Sequence, residues 1–509
     1  MQLPPANPSR RRILLVQPPF YRLFHEDFSL ARYPLTLGYL AGHVRAHTDW
    51  DVAIYSADFL PGGQHPTEVS YLTGPGFQRY QENLQHQTGP VWNEIRQVLT
   101  DYRPHAIGIT AVSQTFTAAR HIAALAKQLQ PDTKVLLGGP HASIAGSRIL
   151  AHPEFDVVVR GEGEETLVEV LRAIAGGHSL QGITGTIIRE SGQAVEQPAR
   201  QVLADLDQLV LPYEVARDCL VGFADYSPRA FAYVFASRGC PFHCLFCGSR
   251  EIWGRKSRLR SPDNVVRELR LLQSLGNRRI HFEDDLFGGT KAGIHALCAT
   301  IQEGCPGLQW SCELHAKLVD APTLARMRAA GCHSILLGVE SGNNQILERM
   351  RKSLTIEEAL EACRLIRQHG IELTTFFLVG FPDETEETLA DTVRAMRATR
   401  SDEIVYSIFT PYPFTEAWEL CRARGLIGDD YDMSLYHHQS PANHFTPHIA
   451  PERFRALAAD IERQVDAWNS QRRWSRKLKR FWRRIVGSGA GAASWRRYTD
   501  DATPRAKAA

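Results

Sequence analysis

The chain has 509 residues, of which 43% are hydrophobic and 22% charged, and its formal net charge is +2. It is too long for one ordinary core and reads as a soluble globular protein of two or three domains, with no overall charge to draw it to nucleic acid. No run of eighteen apolar residues predicts a membrane span, and the Pro-rich, basic stretch before Ile13 lacks the apolar segment of a signal peptide. Ten cysteines without regular spacing do not form a secreted disulfide framework, which places the chain in a reducing cytoplasm.

Taken in order, the first predicted elements are apolar, β-branched runs: Ile13-Leu14-Leu15-Val16, Val52-Ala53-Ile54-Tyr55, Ala106-Ile107-Gly108-Ile109, Val135-Leu136-Leu137, Val157-Val158-Val159 and Thr186-Ile187-Ile188. Helical stretches at 35–46, 118–130 and 164–175 separate them. Apolar strands alternating with helices predict a doubly wound parallel sheet, with ligands at the carboxyl ends of the strands. At those ends lie Gln17-Pro18-Pro19, the 110–114 segment, Gly138-Gly139-Pro140-His141 and Gly161-Glu162-Gly163-Glu164. Glycines there let backbone approach a bulky ligand, although one such loop alone reads equally well as a tight turn before a helix.

Residues 197–231 show no clear period and read as a connection between domains. A second block then alternates again, with strands predicted at 232–236, 279–282, 309–312, 334–339, 373–379 and 404–409. Its helices are predicted at 264–275, 323–330, 356–369 and 386–399. Six strand–helix units predict a barrel or partial barrel whose chemistry sits just beyond the strands. Beyond the first of them, Cys240, Cys244 and Cys247 form a CxxxCxxC loop. Three thiolates so spaced suit an iron–sulfur cubane with one iron left open. Structural zinc, with His243 as a fourth ligand, is the competing reading, but no second half-site of zinc spacing exists.

That loop, with Phe246 just before its last cysteine, resembles the signature of the radical S-adenosylmethionine (SAM) superfamily, and the resemblance covers the second block. It implies a 4Fe-4S cluster on Cys240, Cys244 and Cys247 that binds SAM and cleaves it to a 5′-deoxyadenosyl radical. An electron donor such as flavodoxin or ferredoxin is implied as partner. The SAM contacts so implied are Phe246 near the adenine, Glu283 and Asp284 at the amino group, and Glu313 facing the cavity. Glu340 and Ser341 would lie at the ribose or carboxylate, and Gly380 near the adenine. Each acidic residue also reads as an ordinary helix cap or first-turn charge.

The first block resembles the cobalamin-binding domain that precedes the catalytic barrel in one branch of that superfamily. Pro18-Pro19, the 33–40 segment, Gly138-Gly139-Pro140-His141 and Arg160-Gly161-Glu162-Gly163-Glu164 carry the resemblance. It implies cobalamin contacts at Ser113, Gln114, Gly138, Gly139, His141, Gly161 and Glu162. The DxHxxG motif that supplies a cobalt ligand in many cobalamin domains is absent. The lower face of cobalt is therefore expected to meet Ser113, Gln114, another loop residue or no protein ligand. A second departure is Phe414, where related chains carry glycine after Pro411-Tyr412-Pro413.

The expected fold is thus α/β: a doubly wound cobalamin-binding domain at 10–196, a connection at 197–231, a partial (β/α)6 radical SAM barrel at 232–445, and a helical, basic extension at 446–509. The expected activity is methyl transfer to an unactivated carbon of a small-molecule or lipid-like biosynthetic substrate. An oxidative cyclase or ring-rearranging enzyme is the alternative, and a non-catalytic cobalamin sensor a further one. Phe454, Leu457, Ala458, Ile461 and Val465 predict a helix packed on the barrel. The basic, aromatic tail from Arg472 to Tyr498 reads either as a solvated extension or as an amphipathic helix that touches an anionic membrane surface from the cytoplasmic side. No nucleic-acid partner is expected, since no recognised binding fold accompanies the charge.

Overall fold

Along the first strand, Ile13 and Leu15 join one buried cluster while Leu14 and Val16 join another, so both faces of the strand are covered. A continuous apolar run requires that arrangement. The structure, a computed structural model, describes residues 2–65, 74–413, 415–428, 431, 440 and 443–486. Its first sheet holds β1 (Arg12–Gln17), β2 (Asp51–Ser56), β3 (Ala106–Thr110), β4 (Lys134–Gly138), β5 (Val157–Val159), β6 (Thr186–Glu190) and β7 (Gln193–Glu196). Their order is β2-β1-β3-β4-β5-β6-β7. Pairing is parallel as far as β5 and antiparallel from β5 to β7. The doubly wound sheet is present, with a hairpin added at one edge. β7 escapes a reading by apolar runs because Gln193, Ala194 and Glu196 are exposed.

The chain winds outward from β1 to β2, then crosses to β3 on the other side of β1. That reversal opens a crevice at the carboxyl ends of β1 and β3, where open α/β sheets bind ligands.

The irregular stretch after this sheet is more ordered than its sequence indicates. It carries the helix Pro212–Cys219, which buries Tyr213, Val215 and Ala216. The Tyr33 hydroxyl donates to the Pro212 carbonyl at 3.0 Å, and the Val221 amide donates to Ile54 O on β2 at 2.9 Å. The helix Leu35–His47 comes close enough for this only because it carries small residues, since a Cβ on Gly38 would stand 2.7 Å from Pro212 Cβ.

The second block contains β8 (Tyr233–Val234), β9 (Ser237–Arg238), β10 (Arg258–Leu259), β11 (Arg279–Phe282), β12 (Gln309–Leu314), β13 (Cys332–Glu340), β14 (Glu372–Val379) and β15 (Glu403–Ile408). Six of them form a parallel sheet in the order β8-β11-β12-β13-β14-β15, and β9 pairs antiparallel with β10. The six-stranded sheet does not close, as a partial barrel requires. Local chemistry starts its helices: Asp320 accepts from Thr323 N at 2.8 Å ahead of Ala321–Ala329, and Thr355 and Glu358 cap Ile356–Gln368 reciprocally.

The open edge at β15 is covered by the helix Pro451–Val486, which buries Phe454, Ile461 and Val465. Asn469 on that helix pairs with both backbone groups of Ile404, at 2.9 and 2.8 Å, as a neighbouring strand would. Phe414 and residues 487–498 of the basic tail lie outside the described residues.

Candidate active site between the two sheets

The cysteine loop leaves the second sheet after β8 and β9. Cys240 and Cys244 are half-buried, Cys247 is exposed, and all three are free thiols. The loop is held from several sides. Leu245 N donates to Met350 O at 2.9 Å, Ala417 N donates to Leu245 O at 3.1 Å, and the Phe242 ring stacks on His315 with centroids 3.7 Å apart. His315 in turn meets the Lys352 carbonyl at 3.2 Å. Protein packed around the loop pushes all three thiols up, Cys247 to about 11, while the buried Lys352 ammonium pulls the other way. Among the described residues no group of three His, Cys, Asp or Glu side chains could hold a single metal ion. A zinc ion needs its thiolates within about 2.3 Å of one centre, whereas a cubane places each thiolate on a different iron. The spacing of the loop suits a cubane that takes one thiolate on each of three irons.

The turn beyond β11 sorts its acidic residues. Asp284 is fully buried and turned into the fold: its carboxylate accepts from the Ser237 amide, from Ser237 Oγ at 2.6 Å and from Ala236 N at 3.3 Å. Burial raises it to about 7 despite those bonds. Glu283 and Asp285 lie on the opposite side. Asp285 accepts from Ser249 Oγ at 2.5 Å just past the cysteine loop, and Glu283 pairs with Arg32 of the first domain at 2.5 Å. Glu313, beyond the same rim, is accessible yet crowded, and is raised to about 7 by burial and then by Glu283, Asp285 and Glu340. Glu340 sits at φ +71, a left-handed conformation rare outside glycine, and pairs with Lys352 at 2.9 Å.

The structure thus gathers Glu283, Glu313 and Glu340 at one rim, and adds Asp285 and Lys352, which the sequence reading did not assign. It does not bring Ser341 or Gly380 there. Ser341 is buried with its hydroxyl 3.2 Å from Thr392 Oγ1. Gly380 forms a φ +83 turn whose amide donates to the buried Glu384, and a Cβ there would lie 2.7 Å from the Phe454 ring. Phe246 packs at the edge of an apolar cluster that includes Leu245, Met350 and Phe381.

A cradle opens at the switch point of the first sheet. Leu15, Leu37, Leu40, Leu136 and Val159 supply apolar walls, while Gly108, Gly138, Gly139, Gly161 and Gly163 leave room beside them. A Cβ on Gly108 would stand 2.9 Å from Leu15 Cδ2, and one on Gly161 would project into open space. A large apolar ligand would use that space. Glu162 lies in the same wall, bound to arginines from the second domain. Ser113, Gln114 and His141 are each engaged within the protein. Ser113 Oγ lies 3.1 Å from His141 Nδ1, and Gln114 Nε2 donates to Tyr412 Oη at 2.9 Å, which joins the two domains. Burial lowers His141 to about 4, so its ring is neutral, and it packs 4.3 Å from Phe116.

A second cavity, lined by Gln17, Tyr21, Arg32, Gln114, Phe235 and Glu283, shares Thr36, Thr110 and Pro140 with the cradle. One cleft therefore runs from the first sheet's switch point to the acidic rim of the second.

Comparison with known proteins agrees with this division. Residues 234–396 match the radical SAM superfamily, and residues 32–171 match the B12 binding domain. An uncharacterized methyltransferase of Pyrococcus horikoshii is 29% identical over 418 residues, covering 82% of this chain and 84% of that one. The anaerobic magnesium-protoporphyrin IX monomethyl ester cyclase of Rubrivivax gelatinosus is 28% identical over 339 residues, covering 64% of this chain and 60% of that one. In fold, the chain is similar to TsrM, a radical SAM methyltransferase from Kitasatospora setae solved with cobalamin and a 4Fe-4S cluster bound. The TM-score is 0.67 at 19% identity, over 89% of this chain and 88% of that one. The chain thus carries a B12-binding domain at residues 32–171 in front of a radical SAM domain at residues 234–396.

Proposed function

We propose that this protein is a cobalamin-dependent radical SAM methyltransferase acting on an unactivated carbon of a small-molecule or lipid-like substrate. The observation that supports the reading is the cleft between the domains, which runs from the apolar cradle to Glu283 on the acidic rim, one residue from the Asp284–Asp285 pair whose Asp285 accepts from Ser249 just past the three-thiol loop. When bound, the cluster with SAM supplies a carbon-centred radical and cobalamin supplies the methyl group.

The chain's own residues bind and orient. Cys240, Cys244 and Cys247 would hold the cluster, and because the ligand is the thiolate, assembly would release their protons. Glu283, Glu313 and Glu340 offer carboxylates to the SAM ammonium group, with Phe246 near its adenine. Asp284, Ser341 and Gly380 serve the same site by fixing backbone rather than by contact. Gly138, Gly139, Gly161 and Glu162 frame the cobalamin cradle. The bonds already made by Ser113, Gln114 and His141 support a role in shaping the edge of the cradle that would hold cobalamin.

The Rubrivivax relative supports a second reading, oxidative cyclisation without methyl transfer. Incubation with SAM bearing a deuterated methyl group separates them. Methyl transfer adds one labelled carbon and yields S-adenosylhomocysteine together with 5′-deoxyadenosine, whereas an unchanged carbon count would sink the methyltransferase reading. Flavodoxin or ferredoxin is the proposed electron donor. The proposed location is cytoplasmic, with the basic end of the last helix resting on an anionic membrane. Arg472 and Arg473 are exposed there, and no described helix is long and apolar enough to cross a membrane.

A further inference from the structure

Two arginines flank the start of the cysteine loop, and both turn away from it into the first domain. Arg238, two residues before Cys240, is 6% exposed; its Nη1 donates to Glu162 Oε1 at 2.8 Å and its Nη2 to Glu164 Oε1 at 2.6 Å. Arg258, its register partner across β9 and β10, donates to both Glu162 oxygens at 3.0 Å. The carboxylates belong to the turn between β5 and the helix Glu164–Gly176. Buried charges so arranged must stay paired, so this network resists gradual distortion.

The same residues wall the cradle. Gly161, Glu162, Gly163 and Glu164 line it from one side, and Arg238, Ile252 and Trp253 from the other. The Arg238 guanidinium lies 4.9 Å over the Trp253 ring and 5.5 Å over that of Tyr39. Between Arg238 and Cys240 stands Gly239 at φ +90, where a Cβ would approach the Lys256 carbonyl oxygen to 2.6 Å. Arg238 and the first cluster cysteine are therefore separated by one residue packed closely against the Lys256 carbonyl.

We infer that Arg238 is a positioning residue that couples occupancy of the cradle to the geometry of the cluster loop, so that the two cofactors bind cooperatively. The inference rests on the cofactor reading given above. A ligand in the cradle packs on Trp253 and holds Arg238 against Glu162 and Glu164, which fixes the loop in its cluster-binding form. By reciprocity, an assembled cluster holds Arg238 in place and completes the cradle wall.

The test is an anaerobic titration of the full-length chain with hydroxocobalamin, followed by corrin absorbance, with the cluster reconstituted and with it removed by chelation. The cluster-loaded protein should bind at least about fivefold tighter, the lower end of measured couplings between sites. The ratio should fall toward one in Glu164→Gln, which removes one of the two charges that Arg238 bridges. It should fall likewise in Arg238→Lys, whose single ammonium cannot span both carboxylates. Glu169→Gln, on the exposed face of the same helix, should keep the wild-type ratio. A wild-type ratio near one overturns the inference, as does an undiminished ratio in both wall variants. The wild-type ratio alone decides if those variants fold poorly. Absence of hydroxocobalamin binding in every form would instead overturn the cofactor reading, a result distinct from binding without coupling.

Discussion

Glu384 offers a measurable link between one buried group and the loop that ends β14. Its Oε2 accepts from the Gly380 amide and, at 3.1 Å, from Phe381 N, while its buried Oε1 has no hydrogen-bond partner among the described residues. The two amides favour the charged form, but complete burial prevails and lifts the group from an ordinary 4.5 to about 8. Near neutrality the folded protein therefore keeps a proton that the unfolded chain has released. Stability from this group is full below about 4.5 and is lost as pH climbs toward about 8. At about 1.4 kcal/mol per pH unit, the loss between pH 5 and 8 is on the order of 4 kcal/mol. Glu384→Gln keeps an oxygen for the two amides and has no proton to lose. Its melting temperature should gain on the wild type as pH rises, and the difference should be several degrees greater at pH 8 than at pH 5. Scanning calorimetry across that range would show it. A constant difference would refute the assignment of a proton to this carboxyl.

Other outcomes follow from the site. Cys244→Ala should lose cluster iron, sulfide and SAM cleavage together, whereas small replacements at the buried Cys363 or Cys421 should retain all three. Gly108→Leu should fill the cradle, so that cobalamin no longer survives gel filtration while the protein still takes up cluster iron on reconstitution. Gly338→Ala would set a Cβ 2.5 Å from Glu340 Oε1 and 2.9 Å from Lys352 Nζ. It should cost about 1–3 kcal/mol in thermal unfolding and weaken SAM binding measured by calorimetry. Truncation near Ser470 should abolish cosedimentation with anionic vesicles at low salt; equal binding of both forms would remove the membrane reading.

The parts of this molecule legible in its sequence are those encoded over a few neighbouring residues. Apolar runs such as Val135-Leu136-Leu137 disclose buried strands because the side chains on both faces must leave water, and CxxxCxxC discloses a cluster loop because ligand convergence is a matter of short spacing. The glycines beyond β4 and β5 line the cradle. The reading failed where those cues vanish, as in the exposed β7 and the short helix Pro212–Cys219, which Pro212 begins.

What only the tertiary structure decided is which side chain faces which partner. Neighbouring Asp284 and Asp285 look alike in sequence, yet the turn after β11 buries one against Ser237 and sets the other beside the cysteine loop. Lys352 carries no local signature, and it becomes a buried cation near the thiols only when the segment after β13 folds back. Arg238 meets Glu162 and Glu164 across 76 and 74 residues. Secondary structure and ligand spacing are short-range and repeat along the chain, whereas charge pairing between two sheets depends on how both close, and nothing periodic in the sequence records it.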